Sequence, residues 1–171
     1  TPETDGGSSS CTVGAPVRGR RVALIGNPNT GKTTLFNALT GLSQRVANYP
    51  GVTVERLTAQ LAPGVEVVDL PGAYSLCAHS PDQALAIDLL LGHVRGEPPI
   101  DLVLVIADAS NLRRNLYLVT QIMELGLPMV LALNMMDTAA QAGLVIDCAA
   151  LSAGLGLPVV GLVARRGEGV E

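Results

Sequence analysis

Short runs of consecutive apolar residues alternate with segments whose apolar positions recur every three or four residues. The continuous runs are 22–25, 65–70, 102–107, 129–133 and 158–163. The helix-spaced segments are the stretch carrying Leu35, Phe36, Leu39 and Leu42, then 83–94 and 113–125. Strands buried on both faces read as unbroken apolar runs, so this alternation predicts a mostly parallel sheet covered by helices on both sides. The segment 54–61 differs, because Glu55, Arg56 and Gln60 interrupt Val54, Leu57, Ala59 and Leu61. It reads as an antiparallel edge strand, joined to the 65–70 strand by a turn at Pro63-Gly64. Six strands result, with right-handed crossovers. No internal repeat interrupts the series.

Residues 1–20 are rich in Gly, Ser, Thr and Pro without periodicity and read as a flexible leader, leaving 21–171 as one domain. The longest uncharged stretch, 148–164, has 17 residues but contains Gly154, Gly156, Pro158 and Gly161. These break it into a helix, a turn and a strand, and it falls short of a membrane span. The polar N-terminus carries no export signal, so the expected compartment is the cytoplasm. Cys11, Cys77 and Cys148 lack metal-ligand spacing, and an odd count gives no disulfide framework. A net charge of −4 argues against a nucleic-acid partner held by a broad basic face.

Of 11 basic residues only Lys32 is a lysine, and it lies inside Gly26-Asn27-Pro28-Asn29-Thr30-Gly31-Lys32-Thr33-Thr34. Strand, G-x-x-x-x-G-K-T, helix is the arrangement of a phosphate-binding loop. Its backbone N–H groups and helix N-terminus surround phosphate oxygens, Lys32 reaches the β- and γ-phosphates, and the Thr33 hydroxyl suits Mg²⁺. Asp69-Leu70-Pro71-Gly72 ends the next parallel strand. There Asp69 can hold a magnesium-bound water and the Gly72 N–H can meet a γ-phosphate. Asn134-Met135-Met136-Asp137 follows a later strand. The Asp137 carboxylate can accept from guanine's ring N–H and exocyclic amine together, while Asn134 braces the phosphate loop against the base edge. Thr53, in Gly51-Val52-Thr53, is placed to complete a Mg²⁺ shell only when a γ-phosphate is present.

These elements resemble the translation-factor-like GTPases. Three longer stretches narrow the likeness: 48–55 (Asn-Tyr-Pro-Gly-Val-Thr-Val-Glu), 69–76 (Asp-Leu-Pro-Gly-Ala-Tyr-Ser-Leu) and 108–118 (Asp-Ala-Ser-Asn-Leu-Arg-Arg-Asn-Leu-Tyr-Leu). With the phosphate loop, they resemble the GTP-binding domain of the FeoB family of bacterial ferrous iron transporters. The resemblance implies a Ras-like G domain of the P-loop NTPase class, with GTP or GDP and Mg²⁺ as ligands. It implies a chain that continues past Glu171 into a helical domain and a membrane permease at the cytoplasmic face of the inner membrane. Its own downstream domains and small accessory proteins of the uptake system would then be its partners, and the iron path would lie outside this segment. Met135 replaces a lysine common in small GTPases and can still pack on the guanine ring. Ala164-Arg165 stands where Ser-Ala or Ser-Thr is usual. There the Ala164 N–H can serve the base oxygen, but a stabilising hydroxyl is gone.

After Gly72, where Ras-like enzymes carry a water-orienting glutamine, the residue is Ala73. Positioning and charge neutralisation must come from elsewhere. One candidate is a K⁺ ion held by Asn29 and carbonyls of the 44–52 loop, in keeping with the resemblance; the other is Arg45 or Arg56 acting in cis. Loops 44–53 and 72–81 are expected to be mobile and to order with GTP and magnesium. A ribosome- or RNA-associated GTPase would share these motifs but would add basic character. A P-loop ATPase or small-molecule kinase would make Asn134 and Asp137 incidental caps.

Overall fold

The computed structural model describes residues 19–41, 44–49, 54–78 and 80–171. Seven strands form one sheet in the order β2-β3-β4-β1-β5-β6-β7. They are β1 (Arg20–Gly26), β2 (Gln44–Asn48), β3 (Glu55–Ala62), β4 (Val65–Asp69), β5 (Leu102–Asp108), β6 (Met129–Asn134) and β7 (Val159–Gly161). From β4 to β7 all neighbours are parallel; β2 and β3 are antiparallel additions. The helices are α1 (Lys32–Thr40), α2 (Pro81–Leu90), α3 (Leu112–Met123), α4 (Met136–Gln141) and α5 (Cys148–Leu155).

The P-loop α/β architecture with helices on both faces is the predicted one, with a seventh strand. Residues 44–48, expected within a mobile loop, pair backbone to backbone with β3, so β3 lies inside the sheet and β2 takes the edge. The Gln-Arg-Val-Ala-Asn sequence of β2 shows no alternation because it buries nothing fully: Val46 is 64% exposed. Arg20 belongs to β1 rather than to a leader, pairing with Val65 and donating its N–H to Gly64 at 2.7 Å. Residues 1–18 of the expected leader lie outside the described residues.

Two apolar layers hold the sheet. On one face, Leu35 and Phe36 of α1 cover Val22, Leu24, Val67 and Ile106. On the other, α2 and α3 bring Ala86, Leu89, Leu118, Val119 and Ile122 onto Ala23, Ile25, Val68, Val103 and Val105. Caps define several starts: Ser80 accepts from the Gln83 N–H before Pro81, and Asp147 accepts from the Ala150 N–H. Among the described residues no helix is long and apolar enough to cross a membrane.

A buried charged network lies under one end of the sheet. Arg21 is 2% exposed; its guanidinium pairs with Glu97 at 2.5 Å and Glu66 at 3.2 Å and donates to the Pro98 carbonyl at 2.8 Å. Arg56 joins through Glu97 at 2.6 Å and lies over the Tyr49 ring, 5.9 Å from its centroid. The Tyr49 hydroxyl is buried with no hydrogen-bond partner among the described residues. Burial, helped by the Glu97 and Asp69 charges and opposed by those of Arg21 and Arg56, pushes its pKa up to about 12. A raised value means the neutral phenol stabilises the fold fully below the ordinary 10 and that this is lost between pH 10 and about 12. Tyr49→Phe removes a desolvated hydroxyl and is expected to raise stability by about 1 kcal/mol at pH 7. Urea unfolding checks this, and the variant should lack the loss of stability that the wild type shows between pH 10 and about 12.

Candidate functional site

Strand register gathers the motifs at one edge. Leu24 pairs with Asp69, Gly26 with Ile106, and Asp108 with Asn134, so the phosphate loop, the acidic strand end and the Asn134 motif all leave the sheet together. This is the carboxyl edge of the parallel strands, where open α/β sheets bind ligands.

The 26–31 loop is shaped from within. The buried Thr30 hydroxyl donates to the Asn27 carbonyl at 2.8 Å, closing the turn, and Asn29 adopts φ 66° at its exposed tip. A Cβ on Gly26 would run into the Ile106 carbonyl. Gly31 has φ 86° and lies against Asn134, whose Nδ2 would overlap an added methyl. Gly31→Ala is therefore expected to cost about 1–3 kcal/mol from backbone conformation alone, read by urea unfolding, and to weaken any ligand in the loop. Gly31 is also the N-cap of α1, and no side chain caps that helix. The first-turn N–H groups of α1 are thus left to an external acceptor, which favours an anion.

Lys32, at the first position of α1, places its Nζ 2.5 Å from Asp69 Oδ1, with 16% and 8% of the two side chains exposed. Burial pushes the Asp69 carboxyl up from its ordinary 3.8, and the Lys32 charge and hydrogen bond pull it partly back. This ammonium and carboxylate are the pair that a phosphate and a divalent cation would separate. Thr33 is exposed one residue on. A carboxylate and hydroxyls are the hard oxygen donors that Mg²⁺ takes, so the residues present fit that ion. Gly72 packs 3.5 Å from the Gly26 carbonyl, measured from the position of a Cβ, and the Ala73 N–H donates to that same carbonyl at 3.1 Å. The Ala73 methyl is buried in the core, so no polar side chain reaches the site from there.

Across the loop, Asn134 is 4% exposed and acts as a clamp. Its Nδ2 donates to the Thr30 carbonyl at 2.9 Å, and its Oδ1 accepts from the Ala164 N–H at 2.9 Å. Ala164 was expected to offer that N–H to a base oxygen; the amide is already bound to Asn134, and the next along the chain is that of Arg165. Met135 follows with φ 62° as the N-cap of α4. A cavity of about 200 Å³ opens between Gly31, Thr34, Asn134, Met135, Asp137, Thr138, Val163 and Arg165. At its rim, Asp137 Oδ1 accepts from the Thr138 N–H at 2.9 Å, and Oδ2 pairs with the Arg165 guanidinium. Partial desolvation would raise the Asp137 pKa, but the Arg165 hydrogen bond, the Thr138 amide and the Arg165 and Arg166 charges hold it below the ordinary range.

Gly51, Val52 and Thr53 lie outside the described residues, as do Cys11 and His79. Of the two arginines considered for a role in cis, Arg56 is tied to Glu97, and Arg45 is exposed on β2. Among the described residues no group of three His, Cys, Asp or Glu side chains could hold a metal ion. A polar recess behind the phosphate loop went unread in the sequence. About 140 Å³ in volume, it is lined by Asn27, Asn29, Tyr74, Asp108, Arg114 and Asn115, among others. The Asn27 amide and Asn115 Oδ1 are buried there without protein partners among the described residues. Arg114 stacks 4.5 Å over the Tyr74 ring. The Asn-Leu-Arg-Arg-Asn stretch was a signal, since it places polar residues where an amphipathic helix meets the loop.

The family described as Ferrous iron transport protein B matches residues 20–171. The Fe(2+) transporter FeoB of Salmonella typhimurium is 51% identical over 153 residues, which make up 88% of this chain and 20% of the relative. The chain thus spans about a fifth of the length of the curated relatives it matches. The cytosolic domain of the T. maritima FeoB iron transporter, in a GDP form, superposes with a TM-score of 0.82 at 44% identity. That match covers 92% of this chain and 61% of the other. A GDP-bound S. thermophilus NFeoB variant gives 0.81 at 47%, covering 88% and 58%.

Proposed function

Because the chain belongs to the ferrous iron transport protein B family, we propose that it is a GTP-binding and slowly GTP-hydrolysing domain serving ferrous iron uptake through a membrane permease. The observation that carries the nucleotide reading is the Asn134 clamp. One side chain ties the phosphate loop at Thr30 to the last loop at Ala164, and so fixes the span between Lys32 and Asp137. Within that span Lys32 neutralises the β- and γ-phosphates and the loop amides hold their oxygens. Asp137 accepts from the guanine edge, with Met135 against the ring and the Arg165 N–H serving the base oxygen. GDP in the T. maritima and S. thermophilus relatives supports this choice of ligand. Thr33, Asp69 and Thr53 would hold Mg²⁺, which supplies charge neutralisation between the phosphates. The acidic charge balance and the family match leave an RNA-associated reading without support.

Hydrolysis needs a positive charge and a positioned water that Ala73 does not provide. Asn29 would hold a K⁺ ion beside the phosphates; its exposure at the loop tip, on a left-handed backbone, supports this reading. An arginine finger is worth roughly 10³–10⁵ in rate, and one cation would supply part of that. GTP turnover is expected to be at least about tenfold faster in potassium than in sodium, with Asn29→Ala abolishing the difference. Equal rates in all four combinations would contradict the cation assignment. In a longer protein the domain would lie at the cytoplasmic face of the inner membrane. Its own helical and transmembrane segments, with small accessory proteins of the uptake system, would be its partners.

A further inference from the structure

We infer that Arg165 is an internal competitor of the guanine base: its guanidinium occupies the carboxylate that reads the base and so weakens nucleotide binding. The inference rests on the guanine reading above and adds a determinant of its affinity.

The last loop is fixed at several points. The Ala164 N–H is held by Asn134, and the Val163 N–H donates to the Glu168 carbonyl at 2.9 Å. Residues Ala164–Arg166 form a 3-10 turn ended by Gly167 at φ 72°. A turn anchored in this way delivers residue 165 to the rim of the base cavity, which it lines together with Asp137. There Arg165 donates to Asp137 Oδ2. Arg166 is more distant, 3.7 Å from the same oxygen and 3.7 Å from Glu168.

Guanine presents two donors, the ring N–H and the exocyclic amine, and the match to Asp137 uses both carboxylate oxygens. A guanidinium presents the same pattern of parallel N–H groups, so Arg165 imitates the base edge. The two cannot share the carboxylate. Asp137 is only 11% exposed, whereas Arg165 is 62% exposed and can leave for water when the base enters. Apparent affinity is then reduced by the fraction of molecules in which the pair is closed. A solvent-facing ion pair of this kind lowers affinity about two- to fivefold.

The test is calorimetric titration of GDP into the wild type, Arg165→Gln and Arg165→Lys, at low salt and at about 1 M, where charges are screened beyond about 3 Å. At low salt Arg165→Gln should bind GDP about two- to fivefold more tightly than wild type, with Arg165→Lys in between, and the three should converge at high salt. In an Asp137→Asn background titrated with xanthosine diphosphate, Arg165→Gln should change nothing, because the competed carboxylate is absent. Weaker GDP binding in Arg165→Gln would overturn the inference, since the guanidinium would then be resting on the base. Equal low-salt affinities would overturn it and leave the guanine reading intact. Failure of all three proteins to bind GDP would overturn both.

Discussion

Lys32→Ala is expected to lower GDP and GTP affinity by about 10²–10³-fold, with the fold retained. Lys32 is the chain's only lysine and lies in the loop with its ammonium largely withdrawn from water. Removing one member of a buried charge pair costs about 3–5 kcal/mol, because the other charge is left without its counterpart. The same loss falls on phosphates that would otherwise meet the ammonium. The free protein carries a second signature. Without the Lys32 charge and hydrogen bond that pull the Asp69 pKa down, burial pushes it further above 3.8. A carboxyl whose folded pKa exceeds its unfolded value stabilises the fold below the unfolded value, and that stability is lost as pH rises through the folded one. The variant should therefore be less stable than wild type at neutral pH and recover as the pH falls toward 3.8. Thermal unfolding across that range separates lost binding from lost fold.

The second large effect is expected at Asp137. Asp137→Asn replaces an acceptor oxygen by an NH₂ donor, which then faces two guanine donors. Xanthine carries an oxygen in place of the exocyclic amine, so it offers one donor and one acceptor and matches the amide. Each buried polar group left without a partner costs about 1–3 kcal/mol. The preference for guanine over xanthine diphosphate should accordingly invert, with a total change of about 10²–10³-fold read by competition binding. The substitution lies at the cavity rim, where the side chain makes its own contacts only with Thr138, Arg165 and Arg166 among the described residues. Fold stability should change little.

The elements that carry this site are largely legible in the sequence, for physical reasons that differ by element. Strand β1, the phosphate loop and the start of α1 were readable because the glycines at 26 and 31 are demanded by close backbone approach and by a left-handed φ. The parallel order followed from apolar runs buried on both faces. Strand β2 was not readable, because an exposed edge strand needs only backbone pairing and leaves no apolar pattern. Helix α4 is six residues long, too short for a period to show. The partners of Arg21 at Glu66 and Glu97 lie 45 and 76 residues away, and nothing local announces them. Asn134 and Ala164 were each singled out, yet that one amide would engage the other could not be read from spacing. That contact depends on β6 and the last loop meeting in space. The same is true of Arg165, whose position looks like a departure from a motif and whose side chain meets the Asp137 carboxylate.

The central claim is that one ligand bridges Lys32 and Asp137 and is chosen by its base. Calorimetric titration of the purified protein with GDP and with ADP, in magnesium at moderate ionic strength, tests it most directly. The account predicts saturable GDP binding at least about 100-fold tighter than ADP, because adenine offers no pair of donors to Asp137 and leaves a carboxylate unmatched. Equal affinity for the two nucleotides, or heat from neither, would contradict it.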